Sequence, residues 1–365
     1  MSDQQNDALL VYRAMPQARV TQGNGSARGL AEAIARAGAQ RTLVITGPTI
    51  AESTGLLWYV EQILGPFHAG SYTGVRPHTP EATVTEAAEM VEAAAADALV
   101  SLGGGSAIDT VKAVVHAVSA SHGRSLPHIA IPTTLSAAEF THYAGVTGAD
   151  GIKRAVTGDG LVPREVFLDP LVTLATPARL WLSSGVKALD HAIESMLGTR
   201  HHPVTDTLAT EAIRRLVRAL PACAADSAAL APRADAQIAA WMSLFSPATS
   251  RGGLSHALGH QLGARGVPHG VTSCITLPAV LRFVESATAE RQAAIAAAIG
   301  TETMPADAVA ALITSLNLPT RLRDAELPRE ALPTIAAAAL PEAHRVSPVP
   351  IESEAALVRL LESIW

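Results

Sequence analysis

The pattern of apolar and polar residues changes about halfway along the chain, and this change limits the folds that are possible. Before residue 170, short apolar runs such as RTLVITG (41–47), ALVSLGGGS (98–106) and HIAIPTT (128–134) alternate with segments of helical periodicity. This alternation is typical of β-α-β units, which build a parallel sheet covered by helices on both faces. We therefore predict a doubly wound α/β domain at the start of the chain.

Helical periodicity dominates the rest of the chain. Segments such as PARLWLSSGVKALDHAIESML (177–197) and ADAQIAAWMSLFS (234–246) are rich in Ala and Leu, and Pro or Gly separates them. We predict an α/β domain over residues 1–175 and an all-α domain over residues 176–365. The stretch PEAHRVSPVPIES (341–353) is predicted to be a loop. Ligand pockets favour domain interfaces, so we expect the site in the cleft between the two domains.

Composition excludes several classes of protein. The chain has 365 residues, a net charge of -6 and 48% hydrophobic residues, so no electrostatic attraction to nucleic acid or anionic membranes is expected. Two cysteines are too few for a disulfide framework or a cysteine-based zinc motif. No apolar run approaches the roughly 18 residues that a spanning helix needs. We expect a cytoplasmic enzyme that acts on a small molecule.

A glycine-rich turn separates a predicted strand from a predicted helix; its glycines are Gly103, Gly104 and Gly105. Glycine lets the backbone approach a ligand closely, and the N–H groups of the following helix suit a phosphate. Ser106 and Asp109 have nearly the spacing of a capping box. Ile108 occupies the third glycine position of the dinucleotide-binding fingerprint, so the motif is incomplete. We interpret the turn as a phosphate site for NAD(P); a simple tight turn is the alternative.

A second candidate cofactor loop is IPTTLSAAEFT (131–141), in which Thr133, Thr134 and Ser136 offer hydroxyl groups just after a strand. The alternative is a polar cap on that strand. At the end of the strand TLVITG stands Gly47, where NAD-specific enzymes often carry an acidic residue that meets the adenosine ribose. Without a carboxylate to repel a 2′-phosphate, we expect both NADH and NADPH to be usable.

The segment GLSHALGHQLGARGVPHG (253–270) concentrates three histidines: His256, His260 and His269. Alone, it indicates a metal site, a proton-handling site or a histidine-rich surface. Upstream, Lys187 and His191 are four residues apart on a predicted helix and therefore share one face. A protonated ammonium group cannot coordinate a cation and repels one nearby.

Taken in order, GGGSAID (103–109), IPTTLSAAEFT, GVKALDHAIE (185–194) and GLSHALGHQLGARGVPHG resemble the iron-containing alcohol dehydrogenase superfamily. Its fold also resembles dehydroquinate synthase and glycerol dehydrogenase. The spacing in PTTLSAAEFT and the ending SPVPIESEAALVRLLESIW (347–365) are similar to the maleylacetate reductase branch. The resemblance implies a nucleotide-binding α/β domain, a helical domain, and hydride transfer with NAD(H) or NADP(H). It further implies reduction of a conjugated oxo dicarboxylic acid in aromatic compound catabolism, and a homodimer.

The resemblance also implies roles for individual residues. Metal-dependent members hold one ion with an aspartate and three histidines; the histidine positions match His191, His256 and His269, but Lys187 stands at the aspartate position. His260 matches a further active-site histidine, and Lys153 matches a lysine that lines the cofactor cleft. We therefore predict that no metal binds and that the Lys187 ammonium stabilises negative charge on a substrate oxygen. His260 is the first candidate for the proton donor and His269 the second.

Other residues carry weaker predictions. Asp190 points about 100° around the helix from His191, so we expect it to be a poor replacement for the missing aspartate. Arg251 and Arg265 are candidates to bind substrate carboxylates, and His142 is placed to reach the cleft. Two other functions stay open: a metal-dependent alcohol or hydroxyacid dehydrogenase, and a non-redox enzyme on the same fold, as in dehydroquinate synthase.

Overall fold

The computed structural model describes residues 11–198, 202–245 and 252–365. The strands are β1 Arg19–Gln22, β2 Thr42–Ile45, β3 His68–Tyr72, β4 Ala98–Gly103, β5 His128–Pro132, β6 Tyr143–Thr147, β7 Lys153–Thr157 and β8 Glu165–Leu168. Six of them form one sheet in the order β1-β8-β5-β4-β2-β3, and every neighbouring pair in it is parallel. The predicted doubly wound parallel sheet is confirmed.

Helices cover both faces of this sheet, which explains why its central strands are continuous apolar runs. The helices of this half are α1 Leu30–Ala37, α2 Pro48–Ser53, α3 Leu56–Leu64, α4 Glu81–Ala93, α5 Gly105–His122 and α6 Pro170–Thr173. Helices α1 and α3 pack on one face, and α4 and α5 on the other. The change of face falls between the neighbouring strands β2 and β4. In open α/β sheets ligands bind at such a switch point, outside the carboxyl ends of the strands.

Strands β6 and β7 form a separate antiparallel hairpin that the sequence pattern did not predict. Its first strand packs against α5. Within the hairpin, Gly145 lies beneath the side chain of Lys153, and a Cβ atom at position 145 would overlap the lysine Cε. A side chain at position 145 would therefore displace the end of the Lys153 side chain from its path across the hairpin.

Among the described residues, no strand follows β8, and all later elements are helices. The remaining helices are α7 Ala178–Leu197, α8 Pro203–Ala225, α9 Leu230–Ser243, α10 Leu254–Gly263, α11 His269–Phe283, α12 Glu285–Ile299, α13 Pro305–Ser315, α14 Leu332–Val346 and α15 Glu354–Ser363. The prediction that the second half of the chain is helical is thus confirmed. The exact domain boundary at 175/176 stays a prediction. The predicted loop 341–353 is partly wrong, because α14 continues through Pro341 to Val346.

One apolar core joins the two halves. It includes Val166 and Leu168 of β8, Leu135 from the loop after β5, and the buried faces of α7, α10 and α11. Because α7 lies in this core, its side chains are held rigidly at the junction with the sheet. Among the described helices, none combines the length and the hydropathy that crossing a bilayer requires.

Candidate functional site

The two predicted cofactor loops lie against each other at the carboxyl end of β4 and β5. The backbone N–H of Thr133 donates to the carbonyl of Gly103 at 3.0 Å. A Cβ atom on Gly104 would lie 2.9 Å from Thr134 Cγ2, and one on Gly105 would lie 3.3 Å from Ser136 Oγ. Glycine at position 104 therefore allows this close approach, and the side chains of Thr134 and Ser136 lie against the amino end of α5.

The capping-box interpretation of Ser106 and Asp109 is wrong. Helix α5 begins at Gly105 with Gly104 as its N-cap residue, so Ser106 already lies inside the first turn. The carboxylate of Asp109 instead accepts a hydrogen bond from the backbone N–H of Gly145 at 3.3 Å. Burial raises the pKa of Asp109, with Lys112 and Lys153 acting in the opposite direction. Asp109 thus ties the hairpin to α5, and contacts of these two residues with a cofactor stay predictions.

Gly47 lies at the switch point between β2 and β4. It follows β2 after Thr46 and is the N-cap residue of α2, in an extended conformation that other residues also adopt. The carbonyl oxygen of Val75 would be 3.4 Å from a Cβ atom at position 47. A contact of Gly47 with the adenosine ribose, and the use of NADPH that it allows, stay predictions.

One face of α7 carries four ionisable residues: Lys187, Asp190, His191 and Glu194. Lys187 Nζ lies 3.8 Å from Asp190 Oδ2, and the Asp190 side chain is fully buried. The hydroxyls of Ser255 and Ser273 donate to the same Asp190 oxygen at 2.9 and 2.6 Å. The expectation that Asp190 points away from the site is wrong, because its carboxylate reaches the ammonium group of Lys187.

Glu194, which we did not predict as a site residue, positions the amino end of α10. Its carboxylate accepts hydrogen bonds from the backbone N–H groups of Gly253, Ser255 and His256, at 2.9, 2.6 and 3.3 Å. It also bonds to Nδ1 of the His256 ring. A Cβ atom on Gly253 would overlap the Glu194 carboxylate, so this close contact requires glycine. The side chain of Glu194 therefore acts as the N-terminal cap of a neighbouring helix.

His191 and His256 stack with their ring centroids 4.8 Å apart. The Nδ1 atom of His191 and the Nε2 atom of His256 are buried without a hydrogen-bond partner among the described residues. Burial lowers the pKa of His191 well below its ordinary value and that of His256 to about 3; Lys187 adds to both shifts. Both rings are thus neutral, and each keeps one nitrogen available to a ligand.

The remaining predicted histidines line the other side of the site. His269 is the first residue of α11, and its Nε2 pairs with Lys153 Nζ of the hairpin at 3.2 Å. Burial and the two lysines, Lys153 and Lys187, lower the pKa of His269 to about 2. His260 is about half exposed; its ring lies 6.5 Å from that of His269, and its Nδ1 pairs with Glu342 of α14 at 3.1 Å. The predicted residues from α7, α10, α11 and the hairpin therefore converge on one place.

His78 is a second residue that sequence reasoning missed. It lies in the loop after β3, and its ring meets that of His269 edge-on at a centroid distance of 5.4 Å. No motif in the sequence singles it out. Glu194 did leave a signal, since positions 187, 190, 191 and 194 recur at helical spacing and define one face.

The predicted substrate-binding residues have different outcomes. Arg251 lies outside the described residues. The Arg265 guanidinium donates to the carbonyl of Gln261 at the end of its own helix. His142 packs edge-on against Tyr143, and its pKa is lowered mainly by burial and then by Arg13. The structure therefore places His142 beside the start of the hairpin, and a contact of either residue with substrate stays a prediction.

Two family models match the chain. The model described as iron-containing alcohol dehydrogenase covers residues 16–170, and that described as the C-terminal part of the Fe-containing alcohol dehydrogenase family covers residues 181–365. The chain belongs to the iron-containing alcohol dehydrogenase family, and the predicted resemblance is confirmed. It is therefore an oxidoreductase, and the non-redox alternative is set aside.

The similar proteins include several maleylacetate reductases. Maleylacetate reductase 2 of Cupriavidus pinatubonensis is 36% identical over 283 residues, 77% of this chain and 76% of that protein. Maleylacetate reductase of a Rhizobium species is 33% identical over 291 residues, 80% of each chain. The crystal structure of maleylacetate reductase from Agrobacterium tumefaciens has 29% identity and a TM-score of 0.88, and the match covers 98% of each chain.

Proposed function

We propose that the protein is an NAD(P)H-dependent reductase of a small oxo or enone dicarboxylic acid, similar to the maleylacetate reductases, and that it works without a metal. The observation that carries this proposal is the position of Lys187. Its ammonium group lies among the histidines at the metal-ligand positions of the family, 3.8 Å from the buried carboxylate of Asp190. Its relatives of more than 30% identity that reduce maleylacetate support the substrate class.

The glycine turn fits a dinucleotide cofactor. Gly104 and Gly105 add no side chain of their own at the amino end of α5, and the hydroxyls of Thr134 and Ser136 lie beside it. Backbone N–H groups at a helix start are suited to a pyrophosphate. When bound there, the reduced nicotinamide supplies the hydride. Because Gly47 places no carboxylate at the end of β2, we propose that NADH and NADPH are both accepted.

The residues do not fit the metal ion that the family name implies. A cation at the three histidines would face the Lys187 ammonium, which repels it. The nearest carboxylates already accept hydrogen bonds, Asp190 from two serine hydroxyls and Glu194 from three backbone N–H groups. A metal would have to break these hydrogen bonds to use Glu194 or Oδ2 of Asp190. Oδ1 of Asp190 has no hydrogen-bond partner among the described residues, but a cation there would lie near the Lys187 ammonium, which is 3.8 Å from the other oxygen of the same carboxylate and repels it.

In the proposed reaction Lys187 stabilises the substrate oxygen on which negative charge develops as an enolate forms. A fixed cation in a site sheltered from water lowers the energy of such an anion strongly. The carboxylate of Asp190 holds the ammonium in place, and Glu194 fixes the ring of His256 beside it. His191 and His256 then present their free nitrogens to the substrate and orient it.

The enolate carbon must afterwards receive a proton. We propose His260 as the donor, because its ring is half exposed to solvent and Glu342 fixes its orientation. A histidine held by a carboxylate is a common arrangement for general acid catalysis. His269 is the second candidate. It ranks below His260 because its Nε2 is already paired with Lys153, which leaves only one ring nitrogen for proton transfer.

The decisive experiment measures metal content and activity on the same sample. Protein purified without chelators is analysed for iron and zinc, and oxidation of NADH and NADPH by maleylacetate is followed at 340 nm. We expect turnover with substoichiometric metal and no loss of activity in EDTA. Stoichiometric iron or zinc that activity requires would refute the role of Lys187.

A metal-dependent alcohol dehydrogenase is the second candidate function. One observation favours it: Asp190, Glu194 and His256 each offer a ligand atom, and these atoms lie within 4.8 Å of one another. The same experiment separates the two functions, because this candidate requires metal-dependent oxidation of an alcohol. The expected homodimer and cytoplasmic location are further parts of the proposal; light scattering on the purified protein tests the dimer.

A further inference from the structure

The loop that follows β3 has an unusual backbone. His78 and Thr79 are consecutive non-glycine residues with positive φ angles, 63° and 50°. Left-handed conformations are uncommon for residues with a side chain and are costly for a β-branched residue such as threonine. Strain of this kind persists only where surrounding contacts enforce it, and it is concentrated at functional sites.

Contacts with the hairpin enforce this conformation. The hydroxyl of Thr147 donates to the carbonyl of His78 at 2.8 Å, and its backbone N–H donates to the carbonyl of Thr79 at 3.0 Å. Thr79 is buried, with 1% of its surface exposed, and Pro80 forms an isolated bridge with Thr147. The loop is therefore fixed to the same hairpin that carries Lys153.

This fixed backbone directs the His78 ring into the site. The ring lies edge-on to His269, whose Nε2 is paired with Lys153 at 3.2 Å. Among the described residues, neither ring nitrogen of His78 has a hydrogen-bond partner, although the side chain is only partly exposed. One imidazole with free nitrogens thus lies against His269, which is paired with the Lys153 ammonium, and Lys153 acts electrostatically on His78.

We propose that His78 and Lys153 form a binding subsite for a carboxylate of the substrate remote from the atoms that react. The inference rests on the proposed function, because only a dicarboxylic substrate has a second carboxylate that could bind at His78 and Lys153. A neutral imidazole N–H donates one hydrogen bond to such a group, and the lysine adds a charge-assisted one. The pyrophosphate of the cofactor is the other anion that these two side chains could meet.

The test uses two unreactive probes of the same length, adipate with two carboxylates and hexanoate with one. Calorimetry measures their binding to the enzyme saturated with NADP⁺. The variants are His78→Asn, which removes the imidazole and tolerates positive φ, and Thr147→Val, which removes the hydroxyl that holds the loop. His116→Asn, on the exposed face of α5, is the matched control.

We expect the wild type and the His116→Asn control to bind adipate more tightly than hexanoate. In His78→Asn the affinity for adipate falls on the order of tenfold, as expected for a lost hydrogen bond to a charged group, while hexanoate is unaffected. Thr147→Val gives a smaller change in the same direction. Unchanged adipate binding in His78→Asn overturns the proposal, and so does a loss of NADP⁺ affinity with an unchanged preference for adipate.

The activity assay separates this inference from the proposed function. If the enzyme prefers adipate through His78 but does not reduce maleylacetate, the proposed subsite is supported and the proposed function is refuted. If the enzyme reduces maleylacetate but adipate binding is unchanged in His78→Asn, the proposed function is supported and the proposed subsite is refuted.

Discussion

Lys187 Nζ and Asp190 Oδ2 lie 3.8 Å apart on one face of α7, and the carboxylate is fully buried. The hydroxyls of Ser255 and Ser273 donate to Oδ2 of this carboxylate, and its Oδ1 has no hydrogen-bond partner among the described residues. Burial lowers the pKa of Lys187, whereas Asp190 and Glu194 raise it. The pair thus places an ammonium group, supported by its own counter-charges, at the position that the family resemblance assigns to a metal-ligating aspartate.

The first prediction concerns the charge of Lys187. Lys187→Met keeps most of the side-chain volume but removes the cation, so kcat/KM for the oxo acid should fall on the order of 100-fold or more. The affinity for NADPH, measured by fluorescence, should stay the same. A variant that keeps more than half of the activity would show that the ammonium group does not act on the substrate.

The second prediction is a gain of metal binding. Lys187→Asp restores a carboxylate four residues before His191 and removes the repulsion, so we expect one equivalent of Zn²⁺ to bind and the melting temperature to rise with added zinc. Lys187→Asn is the control that removes the charge without adding an anionic ligand. Equal zinc binding by the wild type would contradict the repulsion argument.

The third prediction concerns Glu194 as the cap of α10. Glu194→Gln replaces an acceptor of three backbone N–H groups by an amide that also donates, which should destabilise the fold by about 2–3 kcal/mol. The midpoint of urea denaturation measures this loss. Glu211→Gln, on the partly exposed face of α8, should change the midpoint little, and equal effects of the two substitutions would refute the capping role.

The fourth prediction uses Lys112 of α5, whose buried ammonium donates to the carbonyls of Ala138, Thr141 and Tyr143. Burial lowers its pKa from 10.5 to about 8, while Asp109 opposes the shift. Between these two values the unfolded chain binds more protons than the folded protein does, so stability should rise with pH across this window.

The comparison with Lys112→Met isolates this group from others that titrate in alkali. The free energy of unfolding of the wild type relative to the variant should increase by about 3 kcal/mol from pH 8 to pH 10.5. Denaturant titrations at several pH values measure the difference. A difference that stays flat or falls with pH would show that the lysine is not penalised by burial.

The fifth prediction tests the choice of cofactor at Gly47. Its extended backbone accepts other residues, and Gly47→Asp would place a carboxylate where a 2′-phosphate is expected. The kcat/KM with NADPH should fall on the order of tenfold or more, while that with NADH is retained. Gly47→Asn controls for size. An equal loss with both cofactors would place the ribose elsewhere.

Much of the fold could be predicted because its signals are local. Apolar runs that end in glycine mark β2 and β4, a short apolar run marks β5, and helical spacing marks α4, α5 and α7. The β6–β7 hairpin escaped because its strands are short, partly exposed and without clear alternation. The end of α14 escaped for another reason: Pro341 predicts a break, but the helix buries Ile335, Ala339 and Ala343, and this packing outweighs one lost main-chain hydrogen bond.

The part of the site that depends on spacing along one helix could be predicted from the sequence. Lys187 and His191 share a helix face, and the same reasoning extended by one turn would have found Glu194. The orientation of Asp190 depends on serines 65 and 83 positions away, so helix geometry alone misplaced it. His78 depends on a backbone conformation that Thr147 imposes from a hairpin 69 residues later, and no local pattern encodes that contact.

The hydrogen bond between Lys153 and His269 joins residues 116 positions apart, one in each half of the chain. Neither half of the chain therefore carries a complete site, and each half needs the complementary residue of the other to form it. A gene fusion that exchanged one half for that of a relative would preserve chemistry only if the incoming half brought the complementary lysine or histidine. A substitution at either position is therefore expected to need a compensating change in the other half.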